Sequence, residues 1–345
     1  MIPVLTLVSY FFNRRVNNYK SVNIYFLIFG VVTAGGQLKE IKKKGYSDNT
    51  FQSKYLTIAK KTEAIKPVVL IIADEYSSPN EVFKVAKDSS IFNFSRALKK
   101  RSWMVNNNAY SYDTSTIHSL SSMFNYNLST GGGYNENPIA DVVINKLMHA
   151  RLYDSLKSKQ VKTINYGIFD FGEHAPLNKL LFYPTNFFEE FLYQSSFFRI
   201  VYGTGKFNKK GFEPEFSAME IHNKYLLGTL KDHLTEVIGQ KYFVYVHLYM
   251  PHGPYIYKPD FNGGAINLNN YLNYWKFTNE KLTILLNSIA EDNKYKIILT
   301  GDHGFRNQSI INPHNTFTAF YGFDQQSLDC IKSVQDLGSL INSSF

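Results

Sequence analysis

Apolar and polar positions fall into blocks along this chain, and the blocks predict buried strands alternating with amphipathic helices. Residues 68–73 (VVLIIA) are a continuous apolar run, the pattern of a strand covered on both faces. Residues 242–248 (YFVYVHL) and 296–299 (KIIL) repeat that pattern. Helical spacing appears at residues 91–100, 153–159, 225–238 and 274–290, and shorter strands are expected at 103–105 and 161–169. Strands alternating with helices predict an α/β fold: a mostly parallel sheet sandwiched by helices. Gly131–Gly133 and Gly263-Gly264 mark loops, and there is no internal repeat.

The first 36 residues follow another pattern. Residues 2–12 and 22–34 are apolar, with Arg14, Arg15 and Lys20 between them. Each run is shorter than the roughly 20 residues of a spanning helix. They read as membrane-anchor segments, the remainder of a larger membrane portion. The basic residues form a cytoplasmic loop, and everything after Gly36 lies outside the cytoplasm. A signal peptide is the competing reading, but its basic residues should precede the apolar run. Residues 37–66 form a Lys-rich linker, and the catalytic domain is expected over 67–345.

Composition narrows the partners. The chain of 345 residues is 44% hydrophobic and 19% charged, enough to bury a sizeable core. Much of its net charge of +9 is concentrated in the linker. No base-stacking motif or recognition helix accompanies those lysines, which argues against nucleic acid. An anionic membrane surface or a merely solvated linker fits them. A single cysteine, Cys330, excludes an internal disulfide and a cysteine-rich zinc module. Residues 177–202 are dense in Phe and Tyr, as in a buried helix or in an amphipathic surface that admits a lipid. No protein partner is implied.

Four stretches carry chemistry. Asp302 and His303 leave the strand at 296–299 through Thr300-Gly301. Alone, Asp-His-Gly reads as a polar turn; in company it is a carboxylate–imidazole pair suited to Zn²⁺ or Mn²⁺. Asp74 and Glu75 end the first strand, as a solvated turn or a ligand pair. Residues 110–124 (YSYDTSTIHSLSSMF) are hydroxyl-rich, either capping a helix or placing a nucleophile at its N-terminus. A Thr hydroxyl there needs a metal or base to activate it. His252 sits in a Pro/Gly turn after the 242–248 strand, and His314 follows Pro313. His247, within the strand, reads equally as structural.

These stretches, in this order, resemble the alkaline-phosphatase and sulfatase superfamily. They are most similar to its membrane-anchored phosphoethanolamine transferases and lipoteichoic acid synthases. IIADE is similar to the strand and acid that open those domains. TSTIHSLSSMF resembles their T-x-T-A-x-S-x-P-C-M-F, MPHGPY their S-H-G-P-x-Y, and GDHG their S-D-H-G, while NPHNTFTAFY is similar to L-H-G-x-P-Y. The resemblance spans roughly residues 66–321. It implies one zinc ion held by Glu75, Thr116, Asp302 and His303, with Asp74 adding to the shell and room for a second ion. Thr116 is then the nucleophile, while His252 and His314 bind phosphoryl oxygens or a second metal and protonate the leaving oxygen. Departures are specific: Tyr112-Asp113 and Ser121-Ser122 replace the flanking cysteine stretches, and Phe305 replaces the acid after Asp-His-Gly.

The implied reaction moves a phospho-alcohol head group from a phospholipid donor to an envelope glycan or lipid, through phosphorylated Thr116. The implied location is the inner membrane, with the domain facing the periplasm or exterior. A phosphodiesterase or phosphatase of the same superfamily is the alternative. A sulfatase needs a C/S-x-P-x-R context that the chain lacks, and a non-catalytic binding protein would have lost ligands that are present here.

Overall fold

The strongest apolar run becomes the centre of the sheet. The computed structural model describes residues 65–126, 146–177, 207–208, 211–212, 215–253, 255, 267–290, 293–306 and 310–345. The expected membrane segments, nearly all of the linker and residues 178–202 lie outside these. No helix among the described residues is long and apolar enough to cross a membrane.

In chain order the principal elements are β1 (Val68–Ala73), α1 (Pro79–Ala86), α2 (Asn93–Lys100), β2 (Met104–Tyr110) and α3 (Thr116–Asn125). Then come α4 (Arg151–Ser158), β3 (Lys162–Tyr166), α5 (Glu215–Thr235), β4 (Tyr242–Leu248) and α6 (Leu268–Ile289). β5 (Lys296–Gly301), β6 (Asn315–Tyr321) and α7 (Leu337–Ser343) complete the set. The sheet order is β2-β6-β5-β1-β4-β3. β1 pairs in parallel with β4 and β5, and β3 in parallel with β4. β6 runs antiparallel to both its neighbours, making the sheet mostly parallel as expected.

Alternation along β1 divides the core. Val69, Ile71 and Ala73 pack with α1, α2, α5 and α6 through Val82, Leu98, Leu230 and Trp275. Val68, Leu70 and Ile72 pack with α3, α4 and α7 through Phe124, Leu156 and Ile341. Both faces are therefore covered, which is why the strand carries no polar residue. α1 starts with Pro79 behind a Ser78 cap, whose side chain accepts from the Asn80 amide. Asn267 caps α6 in the same way.

Register sets the site. Ala73 lies opposite Leu248 on one side and Gly301 on the other, so three strands end at one level and release their polar residues at one edge. Gly301 is needed there. A Cβ would stand 2.2 Å from Thr316 Oγ1 and 2.8 Å from the Tyr76 carbonyl oxygen. Thr316 Oγ1 already donates to that carbonyl at 2.7 Å, so neither atom can give way cheaply. Gly301→Ala is expected to destabilise the fold by about 1–3 kcal/mol, read as a lower urea midpoint at unchanged slope. An unchanged midpoint would show that the strand end yields freely.

Candidate metal centre

At this edge Asp74, Asp302 and His303 each offer one ligand atom, all within 4.8 Å of one another. All three residues are buried. Asp302 is held by the backbone: its Oδ1 accepts from the Glu75 amide at 3.0 Å and the His303 amide at 2.9 Å. Its Oδ2 is buried with no hydrogen-bond partner. The Gly304 carbonyl, 2.8 Å from His303 Nδ1, can only accept, so Nδ1 carries the proton and Nε2 a lone pair. That lone pair faces Asp302 Oδ2 at 3.4 Å. Two lone-pair atoms so close in a dry site repel unless a cation lies among them. The donor set is therefore a fit for a borderline-hard divalent ion.

Thr116 opens α3. Its Oγ1 donates to Asp74 Oδ1 at 3.2 Å and lies 3.4 Å from His303 Nε2. The preceding Ser115 makes no side-chain cap to the helix; its Oγ meets His118 Nδ1 at 2.8 Å. The first-turn amides, without partners inside the helix, add a partial positive charge where Thr116 sits. Two other hydroxyls of this stretch are structural. Ser119 donates to the Asp302 carbonyl at 2.9 Å, docking α3 on the Asp-His-Gly loop. Ser122 donates to Asp113 Oδ2 at 2.9 Å and so ties together the two stretches that stand where the resembled transferases carry cysteines.

Burial alone would raise the Asp74 pKa. The neighbouring imidazoles, His252 first and His247 next, hold it well below the usual carboxylate range. Burial would lower the His252 pKa, but the charges of Asp74 and Glu75 and its hydrogen bond to Gly253 leave it raised.

The remaining site residues divide. Glu75, with φ of 61°, is not in the three-residue cluster; its Oε1 accepts from the Arg306 amide at 3.2 Å and Nε at 3.4 Å. His252 joins that pair, with Nε2 3.4 Å from Arg306 Nη2. His314 lies apart from the cluster: its Nδ1 donates to the Ser111 carbonyl at 2.8 Å, and its ring stacks on Tyr110. His247 is fully buried, with Nδ1 3.0 Å from the Tyr245 hydroxyl and Nε2 3.5 Å from Asp74 Oδ2. Phe305 stacks on Tyr271 with ring centroids 4.2 Å apart. The Tyr271 hydroxyl in turn donates to the Glu75 carbonyl at 2.9 Å. Sequence reasoning missed Arg306; its one signal was its place just beyond Asp-His-Gly-Phe.

Comparison with known proteins agrees with this architecture. The sequence profile of the sulfatase family matches residues 66–326. No curated protein matches the chain. The soluble domain of lipooligosaccharide phosphoethanolamine transferase A from Neisseria meningitidis is 14% identical, with 84% of this chain and 90% of that chain covered at a TM-score of 0.50. The integral membrane form of that transferase is 14% identical, with 99% and 62% covered and a TM-score of 0.49, so the chain spans 62% of its length. The lipoteichoic acid synthase LtaP from Listeria monocytogenes is 12% identical, with 75% and 66% covered at 0.43. Identities this low describe likeness of fold.

Proposed function

The chain belongs to the sulfatase family through residues 66–326, and from that premise we propose that it transfers a phospho-alcohol head group from a phospholipid to an envelope glycan or lipid by way of phosphorylated Thr116. One observation carries the reading: the Thr116 hydroxyl, at a helix N-terminus, lies within 3.2–3.4 Å of Asp74 and His303 in a buried cluster whose lone pairs face each other. Asp74, Asp302, His303 and Thr116 Oγ1 would hold Zn²⁺, with Mn²⁺ the alternative. When bound, the ion lowers the hydroxyl pKa and offsets charge on the phosphoryl oxygens.

The chain's own residues perform the transfer. Thr116 Oγ1, oriented by the hydrogen bond that it donates to Asp74 Oδ1, releases its proton to solvent and forms the new bond to phosphorus. The phosphorus–oxygen bond to the diacylglycerol breaks, and His252 protonates the departing oxygen. An acceptor hydroxyl then attacks phosphorus and gives its proton to His252, the phosphorus–Oγ1 bond breaks, and Thr116 takes up a proton to return to its free form. Residues 1–36 anchor the chain and residues 37–66 link the anchor to a domain outside the cytoplasmic membrane.

Intact mass after incubation with Zn²⁺ and vesicles of phosphatidylethanolamine or phosphatidylglycerol tests this. The expected result is an adduct whose mass names the head group and which an added acceptor removes. Free phospho-alcohol formed without acceptor would assign a phosphodiesterase instead. No adduct, no product and no bound metal would overturn the enzyme reading.

A further inference from the structure

Beside the cluster, loops leaving β1, β4 and β5 bring together Glu75, His252 and Arg306. The acid is 2% exposed. It receives both the amide and the Nε of Arg306, so the guanidinium is anchored at its inner end. The outer end points elsewhere: Nη2 lies 3.4 Å from His252 Nε2. His252 Nδ1 donates to the Gly253 carbonyl at 2.6 Å, which leaves Nε2 beside the guanidinium as the ring's reactive nitrogen. The Arg306 side chain is 26% exposed, which places the group at the rim and not in the core.

Charge explains what such a group is for. Asp74, Glu75 and Asp302 are three buried acids at one strand edge, a field that repels an anionic ester. One metal ion would compensate Asp74 and Asp302 but leave Glu75. Arg306 neutralises Glu75 and holds Nη2 3.4 Å from His252 Nε2, at the place where His252 acts. A planar guanidinium anchored through Nε is suited to phosphoryl oxygens, which it meets with paired N–H groups.

We propose that Arg306, anchored by Glu75, grips the non-bridging oxygens of the phosphodiester, so that the ester lies beside His252 Nε2–H, which gives its proton to the departing oxygen. This assigns Arg306 as a catalytic residue of the reaction proposed above, and it rests on that reading for the identity of the group held. The position follows this chain's own departure, Phe305, which packs on Tyr271.

The test separates binding from turnover. Zinc-loaded full chain, Arg306→Lys, Arg306→Ala and the charge-neutral double variant Glu75→Gln/Arg306→Gln are titrated calorimetrically with glycerophosphoethanolamine, a soluble phosphodiester. Zinc content and melting temperature are recorded for each. Arg306→Ala is expected to bind about 10–100-fold more weakly, since a charge-assisted pair is lost. Arg306→Lys should recover part of that loss, and added guanidinium should rescue Arg306→Ala at unchanged zinc content. The double variant, free of an unpaired buried acid, should remain folded and still bind weakly. Wild-type affinity in the double variant would overturn the proposal. So would a loss in Arg306→Ala that follows zinc content and melting temperature and ignores guanidinium. Arg306-dependent binding with no Thr116 adduct would keep this assignment and overturn the phosphothreonine reading instead.

Discussion

Thr116→Ala is expected to remove the covalent adduct and to lower turnover by ~10⁴-fold or more, the scale seen when a nucleophile is deleted from a site that is otherwise intact. The expectation follows from what the hydroxyl touches. Its donated hydrogen bond to Asp74 and its approach to His303 place the oxygen at the cluster, and alanine leaves nothing there to bond to phosphorus. Stability should change little, by about 1 kcal/mol, because a single hydrogen bond is lost. Asp74 keeps its other neighbours, His247 among them. Thr116→Ser retains the oxygen and should restore the adduct at a reduced rate, since serine samples more rotamers than the β-branched threonine. The informative competitor is one residue away. Ser115 Oγ lies 2.8 Å from His118 Nδ1, a hydroxyl already paired with a base. An adduct that survives Thr116→Ala and disappears in Ser115→Ala would move the nucleophile to that pair.

The parts of this molecule that were legible in its sequence are those where one physical demand acts alone. β1, β4 and β5 are central strands covered on both faces, so they had to be continuous apolar runs, and they stand where those runs predict. Their ends had to be polar, which is why Asp74, Asp302 and His303 could be read as edge residues. β6 was not legible. Its threonines obscured a strand in which Thr316 and Thr318 lie buried within the sheet, with Thr316 satisfied by the Tyr76 carbonyl. The expected helix at 91–100 divides into a 3₁₀ turn, Ser89–Phe92, and α2. α5 and α6 begin several residues earlier than their apolar spacing suggests, because tertiary packing extends them.

Within the site the illegible part was direction. Asp74 and Glu75 are adjacent carboxylates that no pattern distinguishes. A left-handed turn at Glu75 and its capture by Arg306, 231 residues later, decide which one faces the cluster. The hydroxyl-rich stretch posed the same difficulty. Thr116 faces the acids, while Ser119 and Ser122 are spent on docking and on Asp113, and only the contacts separate them.

The same geometry separates two roles of Asp302, and two substitutions distinguish them. Its Oδ1 is a latch for the Glu75 and His303 amides; its Oδ2 is the atom left without a hydrogen bond, facing a lone pair. Asp302→Asn keeps an oxygen for the latch and puts an N–H donor opposite His303 Nε2. Without metal this variant should melt at or above the wild type, because a repulsive contact becomes a hydrogen bond and one buried charge is gone. With zinc near a thousand times its dissociation constant, the wild type should gain about 4 kcal/mol and the variant little. Adduct formation in the variant should fall by roughly 10³-fold or more, the several kcal/mol a bound ion supplies. Asp302→Ala removes the latch as well and strands two buried amides, at about 1–3 kcal/mol each. It should therefore melt well below both, with or without zinc. The measurement is a set of melting curves with and without zinc, alongside metal content. If Asp302→Asn gained as much from zinc as the wild type, the ion would have to lie elsewhere, and Asp302 would be a structural latch alone.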